Sequence, residues 1–91
     1  MSESYVAMTA IWHESKYPDA TMVDVGLKLA EECGEVCQCI DRIKYGRQTS
    51  TARLMEEIGD AGIVLEVLAQ RYCGRPLADL ISERFQTVRL R

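Results

Sequence analysis

Four carboxylates stand in this chain where helical periodicity calls for apolar side chains. Met22, Val25, Leu29, Val36, Ile40 and Ile43 recur at alternating three- and four-residue steps. At about 100° per residue, that spacing marks one buried stripe along a helix. Glu32 falls on the stripe, seven residues after Val25 and four before Val36, and Glu35 follows three residues later. A second stripe runs through Leu54, Ile58, Ala61, Val64, Leu65 and Leu68. Glu57 lies in that row, and Asp60 follows it in line with Ile63 and Val67. An unpaired ionised carboxylate taken out of water costs several kcal/mol, and four together repel. The set persists only with compensating cations.

The remaining punctuation is helical throughout. A short amphipathic helix is expected over residues 3–13, with Val6, Met8, Ile11 and Trp12 facing inward. Lys16-Tyr17-Pro18-Asp19 breaks it, and Asp19 or Thr21 can cap a second helix over 21–45. Gly46 suits the left-handed position that ends it. Gln48-Thr49-Ser50-Thr51 forms a polar turn with Ser50 or Thr51 as the next cap. A third helix is expected over 52–72, closed by Cys73-Gly74. Pro76 suits the first turn of a fourth, whose apolar residues are Leu77, Leu80, Ile81, Phe85 and Val88. No segment alternates as a strand does. The expected fold is all-α, a four-helix bundle forming a single domain over residues 1–91. From Ala61 to Ala69 only Gly62 and Glu66 interrupt the apolar residues, so that helix is surrounded on most sides. A chain of 91 residues is marginal by itself. Completion of the bundle by a homodimer or homotetramer is the expected solution.

Composition narrows the function classes. Eleven Lys and Arg stand against 14 Asp and Glu, a net charge of −3 that disfavours a nucleic-acid coat. Met1-Ser2-Glu3-Ser4-Tyr5 lacks the basic start and apolar centre of a signal peptide. The apolar run at 61–65 is too short for a bilayer, so a cytoplasmic location with no membrane partner is expected. Cys33 and Cys37 share a helical face, but the only histidine, His13, is distant in sequence. Buried free thiols are the favoured reading of the four cysteines, ahead of a zinc site. Glu66 reads as a surface charge.

The chemistry of the acid set is all oxygen. Hard cations, Mg²⁺ or Mn²⁺, prefer such ligands. A di-iron site would need histidines that these positions lack. Carboxylate-held Mg²⁺ usually meets substrate phosphates, which points to a phosphate ester or anhydride. One feature strains the idealised hairpin. Glu32 lies about 13 residues before the turn at Tyr45, and Glu57 about 6 after it. At 1.5 Å per residue their levels differ by roughly 10 Å.

The stretches Leu29-Ala30-Glu31-Glu32-Cys33-Gly34-Glu35-Val36 and Leu54-Met55-Glu56-Glu57-Ile58-Gly59-Asp60 resemble the E-x-x-E and E-x-x-D motifs of the MazG-like all-α nucleoside triphosphate pyrophosphohydrolases. The resemblance runs from about Trp12 through the last helix. It implies that Glu32, Glu35, Glu57 and Asp60 bind Mg²⁺ and that a nucleoside triphosphate is cut to monophosphate and pyrophosphate. Glu35, at the stripe's edge, is the candidate proton acceptor. Lys28 and Arg84 are candidates for the phosphates, with Lys44 and Arg47 near the turn, and Trp12 for stacking on a base. Many relatives carry an asparagine about two turns after the final Asp, where this chain has Glu66-Val67. Two alternatives keep the helical oligomer without turnover. One is a non-catalytic nucleotide- or protein-binding protein. The other is a helical interaction module in which the acids pair with arginines, Arg42, Arg53 and Arg71 among them, across a subunit interface.

Overall fold

The computed structural model describes residues 2–47 and 49–91. Met1 and Gln48, parts of the expected N-terminal stretch and polar turn, lie outside the described residues. Four helices follow in order: α1 (Ser2–Lys16), α2 (Met22–Lys44), α3 (Thr51–Val67) and α4 (Leu77–Val88). A π-helical turn, Leu68–Tyr72, extends α3. No strand occurs among the described residues.

Local chemistry sets the helix ends. Thr21 caps α2, its hydroxyl accepting from Asp24 N while the Asp24 carboxylate accepts from Thr21 N, a reciprocal capping box. Ser50 caps α3 by accepting from Arg53 N at 3.2 Å. Gly46, at φ 65°, ends α2 with a paired closure in which Arg47 N donates to Arg42 O and Gly46 N to Ile43 O. Pro76 stands one position earlier than expected, as the residue before α4, where its carbonyl accepts from Asp79 N.

α2 and α3 form the central hairpin. α1 lies against α3 and the π-turn, whereas α4 makes its main contacts with the π-turn. The inward row of α2 is Val25, Leu29, Glu32, Val36 and Cys39. Met22, Ile40 and Ile43, expected inside, are exposed at 59, 51 and 37 %. The row steps by three residues from Val36, so Cys39 takes the place assigned to Ile40. On α3, Leu54, Ala61 and Val64 turn inward as expected, but Ile58 and Leu65 face out. The expected inward face of α1 is largely reversed: Met8, Ile11 and Trp12 are exposed, and Val6, Thr9, Ala10 and His13 turn toward the molecule. Cys39 alone of the cysteines is buried, while Cys33, Cys37 and Cys73 reach solvent. That leaves one thiol in the role expected for all four.

The apolar core is small: Val25, Cys39, Ala61, Val67 and Ala69. The chain exposes 6885 Å², whereas a closed monomer of this mass exposes about 5400 Å². Its radius of gyration is 15.0 Å, against about 12 Å for a compact chain of this length. Among the described residues no helix is long and apolar enough to cross a membrane.

Candidate metal centre

The roughly 10 Å offset between the two acid motifs is absorbed by the connection between α2 and α3. After Gly46 the chain turns back along α2 instead of starting α3 at once. Thr49 Oγ1 lies 3.4 Å from Cys39 Sγ, five residues inside the end of α2. α3 therefore begins beside Cys39 rather than beside Lys44. One and a half helical turns later, Glu57 reaches the level of Glu32 and Glu35.

Glu32, Glu35 and Glu57 each place one carboxylate oxygen within 4.8 Å of the others. Glu32 and Glu57 are buried at 7 and 3 % exposure, and Glu35 reaches solvent. The two buried carboxylates are built alike. Lys28 Nζ pairs with Glu32 Oε1 at 3.2 Å and with Glu31 at 3.6 Å. Arg53 pairs with Glu57 Oε1 at 2.6 Å and with Glu56 at 3.1 Å. In both cases the cation sits four residues earlier on the same helix and stays largely exposed. Those pairings hold Lys28 and Arg53 above their ordinary pKa values, chiefly through the Glu32 hydrogen bond and the Glu57 charge respectively. The second oxygens, Glu32 Oε2 and Glu57 Oε2, are buried without any hydrogen-bond partner. A buried acceptor left unmatched is costly. With Glu35 beside them, these carboxylates form a group that could hold a metal ion.

Asp60 stands apart from this triad. It is exposed and lines a neighbouring cavity of about 440 Å³, which Glu32 and Lys28 also border. Trp12, His13 and Tyr17 also line it, with Ile63, Val64 and Val67 supplying apolar surface. Trp12 is 48 % exposed, meets Tyr17 edge-on at 6.5 Å, and carries the Lys16 ammonium 5.7 Å from its ring. The structure thus brings Glu32, Glu35 and Glu57 together and sets Lys28, Asp60 and Trp12 around the adjoining cavity. Arg84 lies exposed on α4 and borders neither, while Lys44 and Arg47 sit at the hairpin end.

Of the residues that hold the cavity wall in place, Gln70 and Tyr72 carry no expectation from the sequence, and Arg71 was expected only as a counter-ion. Tyr72 Oη donates to Ala20 O at 2.8 Å, and Gln70 donates to Val6 O at 2.8 Å. Arg71 donates to Tyr17 O and Pro18 O, both at 3.0 Å, and contacts His13 Nδ1 at 2.9 Å. Together they clasp α1 and the loop behind it. The visible signal was a polar triplet, Gln70-Arg71-Tyr72, at the end of an otherwise apolar helix. Glu66 is likewise not a free surface charge, since its Oε2 accepts from Leu77 N at 2.7 Å and so caps α4 from α3. Of the arginines considered as counter-ions, Arg53 takes that role within its own helix. Arg71 serves backbone carbonyls and His13 instead.

Compared with known proteins, the chain matches no family model, no curated protein and no solved structure.

Proposed function

We propose that this chain is a Mg²⁺-dependent nucleoside triphosphate pyrophosphohydrolase of the MazG-like kind, working as a homo-oligomer. One observation carries the reading. Two buried glutamates from facing helices each keep one unpartnered oxygen, their carboxylates lie beside that of Glu35, and Glu32 also borders the cavity. Mn²⁺ fits the same oxygen donors.

Glu32, Glu35 and Glu57 hold the cation, and Asp60 extends the acid edge into the cavity. A bound divalent cation would supply neutralisation of the triphosphate charge and activation of water near the α-phosphorus. Glu35, the triad member open to solvent, takes the proton from the attacking water. The new bond joins water oxygen to the α-phosphorus. The bond to the β-phosphate oxygen breaks, and pyrophosphate leaves. Lys28 moves between the acid pair and the phosphates, and Trp12 packs on the nucleoside. A second copy of the chain covers the exposed apolar faces. The surface in excess of a closed monomer is about 1500 Å² per chain, the range of an obligate interface.

Purified protein incubated with a panel of canonical and modified triphosphates and Mg²⁺ should release pyrophosphate from at least one of them. Glu57→Gln should reduce that rate roughly ten- to a hundredfold, as expected for a group that supports a metal site. No pyrophosphate from any member of the panel sinks the enzymatic reading and leaves the non-catalytic nucleotide- or protein-binding oligomer. A plainer helical interaction module draws on the Lys28–Glu32 and Arg53–Glu57 pairs, which balance part of the buried charge without metal. It predicts no rise in melting temperature with millimolar Mg²⁺ or Mn²⁺, whereas binding to the folded state predicts a rise.

A further inference from the structure

The π-turn does more than fasten α1. Its i→i+5 winding takes a smaller angular step per residue than an α-helix. Gln70, Arg71 and Tyr72 can then all reach the same neighbour, α1 and the loop to α2. Arg71 is the middle of the three, and its contact with His13 has a chemical consequence. A guanidinium carries donors and no acceptor. At 2.9 Å from Arg71 Nη1, His13 Nδ1 must present its lone pair. A neutral imidazole has one N–H, so the proton resides on Nε2. A doubly protonated ring would set N–H against N–H at this contact.

We propose that Arg71 is a positioning residue that fixes His13 as the neutral Nε2–H tautomer on the cavity wall, offering a hydrogen bond to an uncharged acceptor atom of the ligand. The ligand half of this statement rests on the reading of the cavity as the substrate site. A cationic histidine would draw phosphate to this wall. A neutral donor leaves the phosphates to the acid and lysine end and favours a carbonyl oxygen, ring nitrogen or sugar oxygen here. The charged and titratable groups around His13 come from every packed element. They are Lys16 and Tyr17 at the end of α1, Asp24, Lys28 and Glu32 from α2, Asp60 from α3 and Arg71 from the π-turn. Lys28 is already engaged with Glu31 and Glu32. Burial first, and the Arg71 charge second, hold the imidazole below its ordinary pKa.

His13 is the only histidine, so one imidazole spin system reports the state directly. Long-range ¹H–¹⁵N correlation on the free, metal-free protein should show a bare Nδ1 and a protonated Nε2 at neutral pH, titrating below about 6.5. Arg71→Gln should mix the tautomers and raise the midpoint. Arg71→Lys, also donor-only, should restore the tautomer in part. Tyr72→Phe removes a comparable anchor, on Ala20, without touching His13 and should leave the tautomer intact. With a triphosphate the panel shows to be cleaved, Arg71→Gln and His13→Phe should each raise KM roughly tenfold, the size of one lost hydrogen bond. The two should change kcat little and should not add when combined. A wild-type imidazole protonated on Nδ1 overturns the proposal, and so does an Arg71→Gln protein with the wild-type tautomer. A Tyr72→Phe protein with the same KM loss would reassign Arg71 to a structural role and overturn it as well. The tautomer measurement needs no substrate, so it decides the Arg71–His13 relation even if the panel shows no hydrolysis.

Discussion

The α2–α3 hairpin and α4 break the ordinary rule of burial in opposite directions. The hairpin encloses Glu32 and Glu57, while α4 buries no residue and exposes Ile81 and Phe85 at 57 and 52 %. Charge inside and oil outside are both unfavourable unless something further is bound. In the hairpin the deficit is specific, two oxygens without partners in a cluster that could hold a metal ion. On α4 the deficit is extended and non-directional, which only a large apolar surface can meet. In the proposed reading the first region takes an ion and the second another chain.

The most sensitive way to test this contrast is to remove an internal counter-ion. Arg53→Met should lower the melting temperature in EDTA by about 5 °C, a shift typical of losing one significant interaction in a domain of this size. Millimolar Mn²⁺ should recover most of it. An unchanged melting temperature in EDTA would mean that the cation does not balance Glu57. A double variant, Ile81→Ser with Phe85→Ser, should leave helix content intact and shift sedimentation toward the single chain. If the mass in solution is unchanged, α4 does not carry the interface. The smallest effect concerns the hinge between the regions. Glu66→Ala removes the carboxylate that accepts from Leu77 N, a cap worth about 1 kcal/mol. Amide exchange should quicken across α4 and stay the same at Val25 and Ala61. Equal quickening in both places would show that the two regions unfold as one.

Much of this division could be read in the sequence, for identifiable reasons. Thr21, Ser50 and Gly46 act at helix ends through local bonds, which the sequence displays directly. Glu32 and Glu57 were visible because a helical period leaves few positions for a buried residue. Phase was harder where neighbours are both apolar. Cys39 and Ile40 could each fill the inward row, and packing against Thr49 falls to Cys39. On α1 the apolar residues do not mark the inner face, because Gln70 and Arg71 anchor that helix through polar groups. The π-turn has no periodic signature of its own, so the clasp around His13 was invisible. Asp60, a fourth ligand by the family resemblance, lies outside the triad and lines the cavity, a distinction that depends on how α3 is rotated.

The contact between Thr49 and Cys39 has a consequence for how such a protein can change. The six residues between the two long helices act as a spacer that sets which rung of one faces which rung of the other. Lengthening or shortening that spacer slides Glu57 past Glu32 and detunes the cluster while every acid remains in place. The distance between the motifs is thus inherited from a stretch that contains none of the four acids.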